Sequence, residues 1–445
     1  MKNLLILHLE SITCERLAAF ASSFPNTHGL LRNAVAFDSF FSSATSTLMV
    51  VSYLFHGNDF EFDASTQFEG MRPAANNPHL FATLQAHGWQ ADLICLNGFH
   101  AMRPTTLAAW PGELPPIFGT NDFPTLFARF DALTDRRPFA IYVWDLITHV
   151  EHSLALAAHS AGLTEQVRQA CRVADDAIGV MLSTLERKGL LGETTIVVYG
   201  DHGDDYWTHG FKGGMVHATE PYTQITHAPL AFCDPTLAPG NRAALASTID
   251  IAPTCLALLG VDAPLPFARS GSDLFGTPDR EFVYAQNFTA SQPDSRELGI
   301  ARAFAATDDT YNLVASSRGL EFFAYRLDPG NHCNLLQFFR LGADGALRLR
   351  DDLGTANHFR AALIDNPRAV AHLADRFAAL RRALAARVAE KRAYLASRGV
   401  AATAAMDPAA FDRIALPPHS AGARDVAASP ARPALAPFEF SFKLG

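Results

Sequence analysis

Acidic and imidazole side chains are concentrated where three predicted strands of this chain end. The three stretches are LHLES, which ends at Ser11, WDLITH, which ends at His149, and YGDHGDDYWTHGFKGGMVH, which ends at His217. Between the first two lies SATSTLM, a turn with several hydroxyl groups. Together these side chains supply a candidate nucleophile and two sets of oxygen and nitrogen ligands. A two-metal site that hydrolyses phosphate-type esters requires this combination.

The second stretch contains Asp145 and His149, four residues apart at the end of the strongest predicted strand. An aspartate and a histidine at this spacing can bind one metal ion. As an alternative, Asp145 caps the start of a helix and His149 lies on the surface.

In the third stretch, the apolar run ETTIVVYG leads directly to Asp201 and His202. Adjacent side chains on a regular strand point to opposite faces, so these two can bind one ion only if they lie in a turn. The alternative is a polar turn without function. In the later glycine-rich loop, His217 can complete a metal site, and His209 and Lys212 are alternatives there. For each of these three residues, an ordinary surface position is an equal alternative.

The composition is that of an ordinary soluble globular protein. Of the 445 residues, 49% are apolar, which is enough to bury a large core in one large domain and a smaller one. The formal net charge of -9 gives no basic surface, so we expect no nucleic acid partner. The six cysteines form no CxxC pair and are expected to be reduced. No apolar run approaches the roughly 20 residues that span a bilayer, so we expect no membrane anchor and a cytoplasmic location.

Short apolar runs alternate with longer segments of helical periodicity, which is typical of an α/β protein. The runs are nearly continuous, as expected for strands of a mostly parallel sheet that is sandwiched by helices and buried on both faces. In such folds the ligand lies at the carboxyl ends of the strands, where the candidate side chains cluster. The predicted strands are 4–9, 91–96, 139–146, 195–200 and 229–233, and the predicted helices are 48–55, 78–87, 123–133, 164–188 and 241–259.

Shorter, more alternating strands follow, including 304–314 and 321–327, which favour a small antiparallel sheet. An Ala- and Arg-rich segment at 370–395 then carries one apolar stripe and predicts a long amphipathic helix. This helix and the tail after it are candidates for contacts in a homo-oligomer. The predicted divisions are a catalytic α/β domain at 1–280, an antiparallel subdomain at 281–360, the helix at 361–400 and an Ala/Pro-rich tail at 401–445.

Several longer motifs carry a resemblance to a known family. They are CRVADDAIGVMLSTLERKGLLGETTIVVYGDHGD, HGFKGG, HAPLAF, IDIAPTCLALLGV and EFFAYRLDPGNHCNLL. In order and spacing they resemble the sulfatase-like branch of the alkaline phosphatase superfamily, over most of residues 1–336. The resemblance implies that family's α/β fold and a metal-dependent reaction at an ester.

The superfamily places a covalent nucleophile at the N-terminus of a helix, where backbone N–H groups and the helix dipole stabilise negative charge. The matching position is Thr47, with Thr45 and Ser46 as neighbouring alternatives that can also be simple N-cap residues. Sulfatases of the formylglycine type carry CxPSR here, whereas this chain has TLMVV, which argues against formylglycine chemistry. A threonine hydroxyl that is deprotonated at a metal suits attack on phosphorus.

The resemblance also implies roles for the remaining candidates. It implies two divalent cations, with zinc favoured by the mixed imidazole and carboxylate ligands and manganese as the alternative. Lys212 and His209 match a loop that contacts the substrate anion or the leaving group. Glu10, Thr47, Asp201 and His202 are implied for one ion, and Asp145, His149 and His217 for the other.

The leading functional prediction is a hydrolase of small-molecule phosphodiesters or phosphomonoesters that forms a covalent phospho-threonine. Glu10 and the TST turn resemble instead the phosphoethanolamine and phosphoglycerol transferases, which are typically membrane-anchored, so a soluble transferase is the alternative. Asp145 favours the two-metal phosphatases and phosphodiesterases. A sulfate or phosphonate ester substrate remains open, because fold does not determine function. A metal-binding protein without catalysis is a third alternative, which the intact ligand set disfavours.

Overall fold

The structure is a computed structural model. It describes residues 1–59, 79–96, 117–120, 122–149, 162–206, 208–209, 217–263, 271–277, 279–287, 303–316, 319–342, 345–352, 363–364 and 366–397. The predicted site residue Lys212 and the predicted tail at 401–445 lie outside these residues.

An eight-stranded sheet forms the centre of the molecule, in the order β4-β3-β5-β1-β6-β7-β2-β8. Only β7 runs antiparallel to its neighbours within this sheet. The predicted mostly parallel sheet is therefore confirmed. The strands are β1 (Asn3–Leu9), β2 (Val35–Phe41), β3 (Gln90–Leu96), β4 (Ile117–Thr120), β5 (Phe139–Asp145), β6 (Thr194–Gly200), β7 (Leu230–Cys233) and β8 (Gly240–Ser247).

Helices cover both faces of this sheet. Along β1, Leu4 and Ile6 pack into the apolar cluster on one face, and Leu5 and Leu7 pack into the cluster on the other. Two buried faces explain why the strands read as continuous apolar runs. The helices are α1 (Cys14–Ala19), α2 (Pro25–Leu31), α3 (Thr47–His56), α4 (Leu80–Ala86), α5 (Phe123–Leu133), α6 (Leu163–Arg187), α7 (Thr223–Thr226), α8 (Ile251–Leu258) and α9 (Pro367–Ser397), and the short 3-10 turns are Ala21–Ser23, Leu191–Glu193, Thr248–Asp250 and Leu335–Phe338.

A smaller antiparallel sheet follows, in the order β12-β11-β10-β9, together with a separate two-stranded ribbon. The long helix α9 packs on β10, β11 and β14. Its predicted apolar stripe, from Leu373 to Val388, is buried. These strands are β9 (Val283–Asn287), β10 (Ala303–Thr307), β11 (Asn312–Ser316), β12 (Gly319–Phe323), β13 (Phe339–Leu341) and β14 (Leu347–Leu349).

Two sequence predictions about these elements are wrong. The predicted helix at 241–259 is instead β8, a 3-10 turn and the shorter α8. The alanines of GNRAALAS suit a helix, but parallel pairing with the edge of β2 overrides that propensity. The predicted strand at 304–314 is the hairpin of β10 and β11, and its turn is closed by hydrogen bonds from Thr310 N and Tyr311 N to Asp308 Oδ1.

The sheet brings three chain segments to one edge. In the register of the sheet, Leu9 at the end of β1 lies beside Asp145 in β5 and Gly200 in β6. The residues that follow these strand ends are therefore neighbours in space. Among the described residues, no helix is both long and apolar enough to cross a membrane.

Candidate active site

The turn after β1 places Glu10 at the carboxyl edge of the sheet. Ser11 has a φ of 55°, in the left-handed region that non-glycine residues seldom adopt. The turn is held on both sides, because Ser11 N donates to Asp201 Oδ1 at 2.9 Å and Arg16 Nη1 donates to the Ser11 carbonyl at 2.8 Å. This strained turn positions Glu10 against the loop that follows β6.

Thr47 is the first residue of α3 and faces this edge. Its hydroxyl donates to Glu10 Oε1 at 2.9 Å and also lies 2.9 Å from His202 Nε2. The two neighbouring alternatives are placed differently. Thr45 Oγ1 donates to the Thr219 carbonyl, and the Ser46 hydroxyl is buried without a hydrogen bond. Of the three hydroxyls, that of Thr47 is the one in contact with the acidic and imidazole groups.

His202 presents a defined ring nitrogen to Thr47. Its Nδ1 lies 3.0 Å from the Gly203 carbonyl oxygen, which can only accept, so Nδ1 carries a proton. Burial, opposed by the nearby Asp201 carboxylate, lowers the pKa of His202 and favours the neutral ring. The neutral ring then has its lone pair on Nε2, the nitrogen beside the Thr47 hydroxyl, as in histidines that bind a metal.

Two carboxylates are buried side by side in this cluster. Burial, followed by the charge of Asp201, raises the pKa of Glu10 well above its usual value. Burial also opposes ionisation of Asp201, but His202, His8 and the backbone N–H of Ser11 outweigh it and lower the pKa of Asp201. Trp144 Nε1 donates to Glu10 Oε2 at 2.9 Å. The cluster therefore concentrates negative charge away from water.

These residues fit a divalent cation. Asp201 Oδ2 is buried without a hydrogen-bond donor. Among the described residues, the ion-pair partners of Glu10 and Asp201 are His8 and His202, with no lysine or arginine. In that part of the chain, the group of acidic and imidazole side chains whose ligand atoms all lie within 4.8 Å of one another is His8, Glu10 and Asp201. Buried unpaired carboxylates of this kind require a counter-charge.

In the second predicted ligand set, the two histidines lie close together. The ring centroids of His149 and His217 lie 5.3 Å apart, and those of His217 and His202 lie 4.5 Å apart. The Asp145 carboxylate accepts from Ile147 N at 2.8 Å and contacts Thr148 Oγ1 at 3.1 Å within its own turn. Asp145 thus caps its own turn. A second ion bound by Asp145, His149 and His217 stays a prediction.

His209 connects the loop after β6 to the C-terminal part of the molecule. Its Nδ1 contacts the Asp205 carboxylate, and its Nε2 lies 3.1 Å from the Asn331 carbonyl oxygen. The ring also stacks on Tyr222, with centroids 3.7 Å apart. Both ring nitrogens therefore face protein acceptors, and the predicted contact of His209 with a substrate stays a prediction.

The structure adds residues that the sequence reasoning missed. His8 lies within the cluster, and its signal was the alternation in LHLE, which puts His8 and Glu10 on the same face of one strand. Asp204, from the run DHGDD, contacts His217 Nδ1 at 2.9 Å and Arg16 Nη1 at 3.8 Å. No local pattern indicated the Trp144 contact with Glu10, because it depends on the pairing of β1 with β5.

Similarity to known proteins identifies the family of this chain. A family model described as Sulfatase matches residues 2–261, which is more than half of the chain. The chain belongs to the sulfatase family. The predicted sulfatase-like branch of the alkaline phosphatase superfamily is confirmed.

Individual relatives match parts of the chain. Arylsulfatase A of Bos taurus is 29% identical over 223 residues, which cover 47% of this chain and 42% of that protein. Lipoteichoic acid synthase 2 of Bacillus subtilis is 30% identical over 124 residues, or 27% of this chain and 19% of that protein. The chain thus spans less than half of the length of these curated relatives. The phosphonate monoester hydrolase of Agrobacterium radiobacter shares the fold, with a TM-score of 0.56 and 15% identity over 79% of this chain and 100% of that chain.

Asp145 provides a test of the electrostatics at this edge. Burial raises the pKa of Asp145 to about 7, so the folded protein binds its proton more tightly than the unfolded chain. The stability of the metal-free protein should therefore fall as the pH rises from about 4 towards 7, by up to about 1.4 kcal/mol per pH unit. Asp145→Asn should make this decline smaller, because the amide binds no proton in this pH range, while Glu10 keeps its own contribution. The amide is accommodated, because its N–H can donate to Thr148 Oγ1 while Thr148 donates to the Glu10 carbonyl.

Urea unfolding with a chelator present, at several pH values in this interval, measures the effect. The matched control is Asp176→Asn, at an exposed position on α6, which should keep the wild-type decline. Equal pH dependence in wild type and Asp145→Asn would mean that Asp145 is ionised in the folded state.

Proposed function

We propose that this protein is a metal-dependent hydrolase of phosphate-type esters that acts through a covalent phospho-threonine at Thr47. The observation that carries this proposal is the contact of the Thr47 hydroxyl, at the start of α3, with both Glu10 and His202. A hydroxyl in contact with a carboxylate and an imidazole, at the N-terminus of a helix, has the surroundings of an activated nucleophile.

Glu10, Thr47, Asp201 and His202 would hold one divalent cation. A cation bound there supplies positive charge that favours the ionised hydroxyl and polarises the ester. The mixed carboxylate and imidazole donors favour zinc, with manganese as the alternative. We propose one ion at this cluster, and a second ion bound by Asp145, His149 and His217 stays a prediction.

The chain's own residues have defined parts in the reaction. Glu10 Oε1 accepts the hydrogen bond of the Thr47 hydroxyl, so it lies where the proton of that hydroxyl is directed. Thr47 Oγ1 then attacks phosphorus, the bond to the leaving oxygen breaks, and that oxygen takes a proton from water to leave as an alcohol. Backbone N–H groups in the first turn of α3 face the added negative charge. Attack of water on the phospho-threonine releases phosphate or a phosphomonoester and restores the hydroxyl.

A transferase is the second candidate function. The pair of Glu10 and Thr47, and the match to lipoteichoic acid synthase 2, support transfer of the phosphoryl-linked group to an alcohol instead of water. The match to arylsulfatase A supports sulfate esters, but the chain has TLMVV where the formylglycine sulfatases carry CxPSR. A threonine in place of the aldehyde hydrate favours phosphorus over sulfur as the reacting centre.

The nucleophile is tested by substitution. Thr47→Ala should lower turnover by on the order of 10³-fold or more, because the attacking oxygen is lost, while the far-UV circular dichroism stays unchanged. Thr47→Ser keeps the oxygen and should retain turnover. The matched control is Ser46→Ala, one residue earlier, whose hydroxyl makes no hydrogen bond and should be dispensable.

Rapid acid quenching and peptide mass spectrometry should locate a phosphoryl group on Thr47 in the wild type. Wild-type turnover in Thr47→Ala, or a covalent group on Thr45 or Ser46 instead, would contradict this assignment.

The reaction class is tested by a substrate screen. After loading with zinc or manganese, aryl phosphate monoesters or diesters should react faster than the corresponding sulfate, with a phosphonate monoester as a further comparison. A sulfate ester as the fastest substrate would overturn the phosphorus assignment. Product analysis with added alcohols separates the two candidate functions, because a transferase would form alkylated product at the expense of free hydrolysis product.

A further inference from the structure

We propose that His8 is an additional protein ligand of this metal ion, which it binds through Nε2. The inference rests on the cation proposed above, but it concerns a residue outside the four ligands implied by the family resemblance. With His8 included, the ion has two imidazoles, two carboxylates and a hydroxyl around it.

The sheet fixes where His8 points. His8 and Glu10 alternate along the chain and so lie on the same side, with Glu10 one step closer to the edge. The His8 ring stacks on Trp144 of β5, with ring centroids 5.7 Å apart and an interplanar angle of 13°. It also stacks on Tyr199 of β6, with centroids 4.9 Å apart and an angle of 28°. Both neighbours are the direct register partners of His8. The ring is 1% exposed and held between two aromatic side chains.

The distances around Nε2 fit a shared ion better than hydrogen bonds. His8 Nε2 lies 3.3 Å from Asp201 Oδ2 and 3.6 Å from Glu10 Oε2. Neither Nε2 nor Asp201 Oδ2 makes an aligned hydrogen bond, although both are buried. Donor atoms that each lie about 2.1 Å from one five-coordinate zinc ion are mostly separated by roughly 3.0 to 3.6 Å. The atoms therefore have the spacing of ligands around a common centre.

The contact on the opposite side of the ring is compatible with a lone pair on Nε2. His8 Nδ1 lies 2.7 Å from the Tyr142 hydroxyl, which itself lies 2.7 Å from the Tyr199 hydroxyl. If Nδ1 donates to Tyr142 and Tyr142 donates to Tyr199, the Nε2 lone pair is left for the metal. Metal-binding histidines are commonly oriented by a hydrogen bond from the other ring nitrogen.

A second imidazole changes which ion the site prefers. Calcium and magnesium prefer all-oxygen ligands, whereas zinc and cobalt bind imidazole well. With both His8 and His202 as ligands, the site should discriminate strongly against calcium and magnesium. His8 thus acts as a determinant of metal specificity.

Zinc X-ray absorption spectroscopy on the full chain counts the imidazole ligands directly. The wild type should show two, and His8→Phe, which keeps an aromatic ring between Trp144 and Tyr199, should show one. Competition with a chelator should show zinc affinity at least about 10- to 100-fold weaker in His8→Phe and a smaller preference for zinc over magnesium. The matched control is His79→Asn, a buried histidine that caps α4 and whose asparagine replacement can accept the same hydrogen bond from Phe81 N.

One imidazole in the wild type would overturn the role of His8 and leave the proposed function intact. That measurement needs no variant, so it decides the question even if His8→Phe fails to fold. Absence of bound zinc in the wild type would instead contradict the metal-dependent function itself.

Discussion

The burial of Glu10 and Asp201 next to each other is the constraint on which the rest of this site depends. The parallel pairing of β1 and β6 puts both carboxylates at one sheet edge, and both are fully buried. Two such charges without a cation would cost several kcal/mol each. Glu10 responds with a raised pKa, and the imidazoles of His8 and His202 turn towards the pair. A cation at this point would neutralise the carboxylates and bind the lone pairs of the imidazoles.

The sequence predicted the architecture because strands that are buried on both faces are continuous apolar runs. Continuous apolar runs identified β1, β5 and β6, and the polar residues after them identified the carboxyl edge. The strands towards one edge of the sheet were harder to predict. β2 is partly exposed and was missed, and the alanines of β8 suggested a helix, because pairing between distant strands is not visible in local propensity.

For the site, the sequence and the family resemblance together predicted the meeting of Glu10, Thr47 and His202, since all three follow strand ends or begin a helix. His8 escaped notice because a lone histidine in an apolar strand resembles a core residue. Its role depends on Asp201, which is 193 residues away in the chain and adjacent through the sheet. The spacing to His149 and the family resemblance implied Asp145 as a metal ligand. Its carboxylate also accepts a hydrogen bond from its own turn, and its role at a metal stays a prediction.

The most direct test of the central claim is a crystal structure of the protein loaded with manganese, with anomalous diffraction recorded to locate the ion. We expect one strong anomalous peak among Glu10, Thr47, Asp201 and His202. No peak at that cluster, or a main peak among Asp145, His149 and His217, would contradict it.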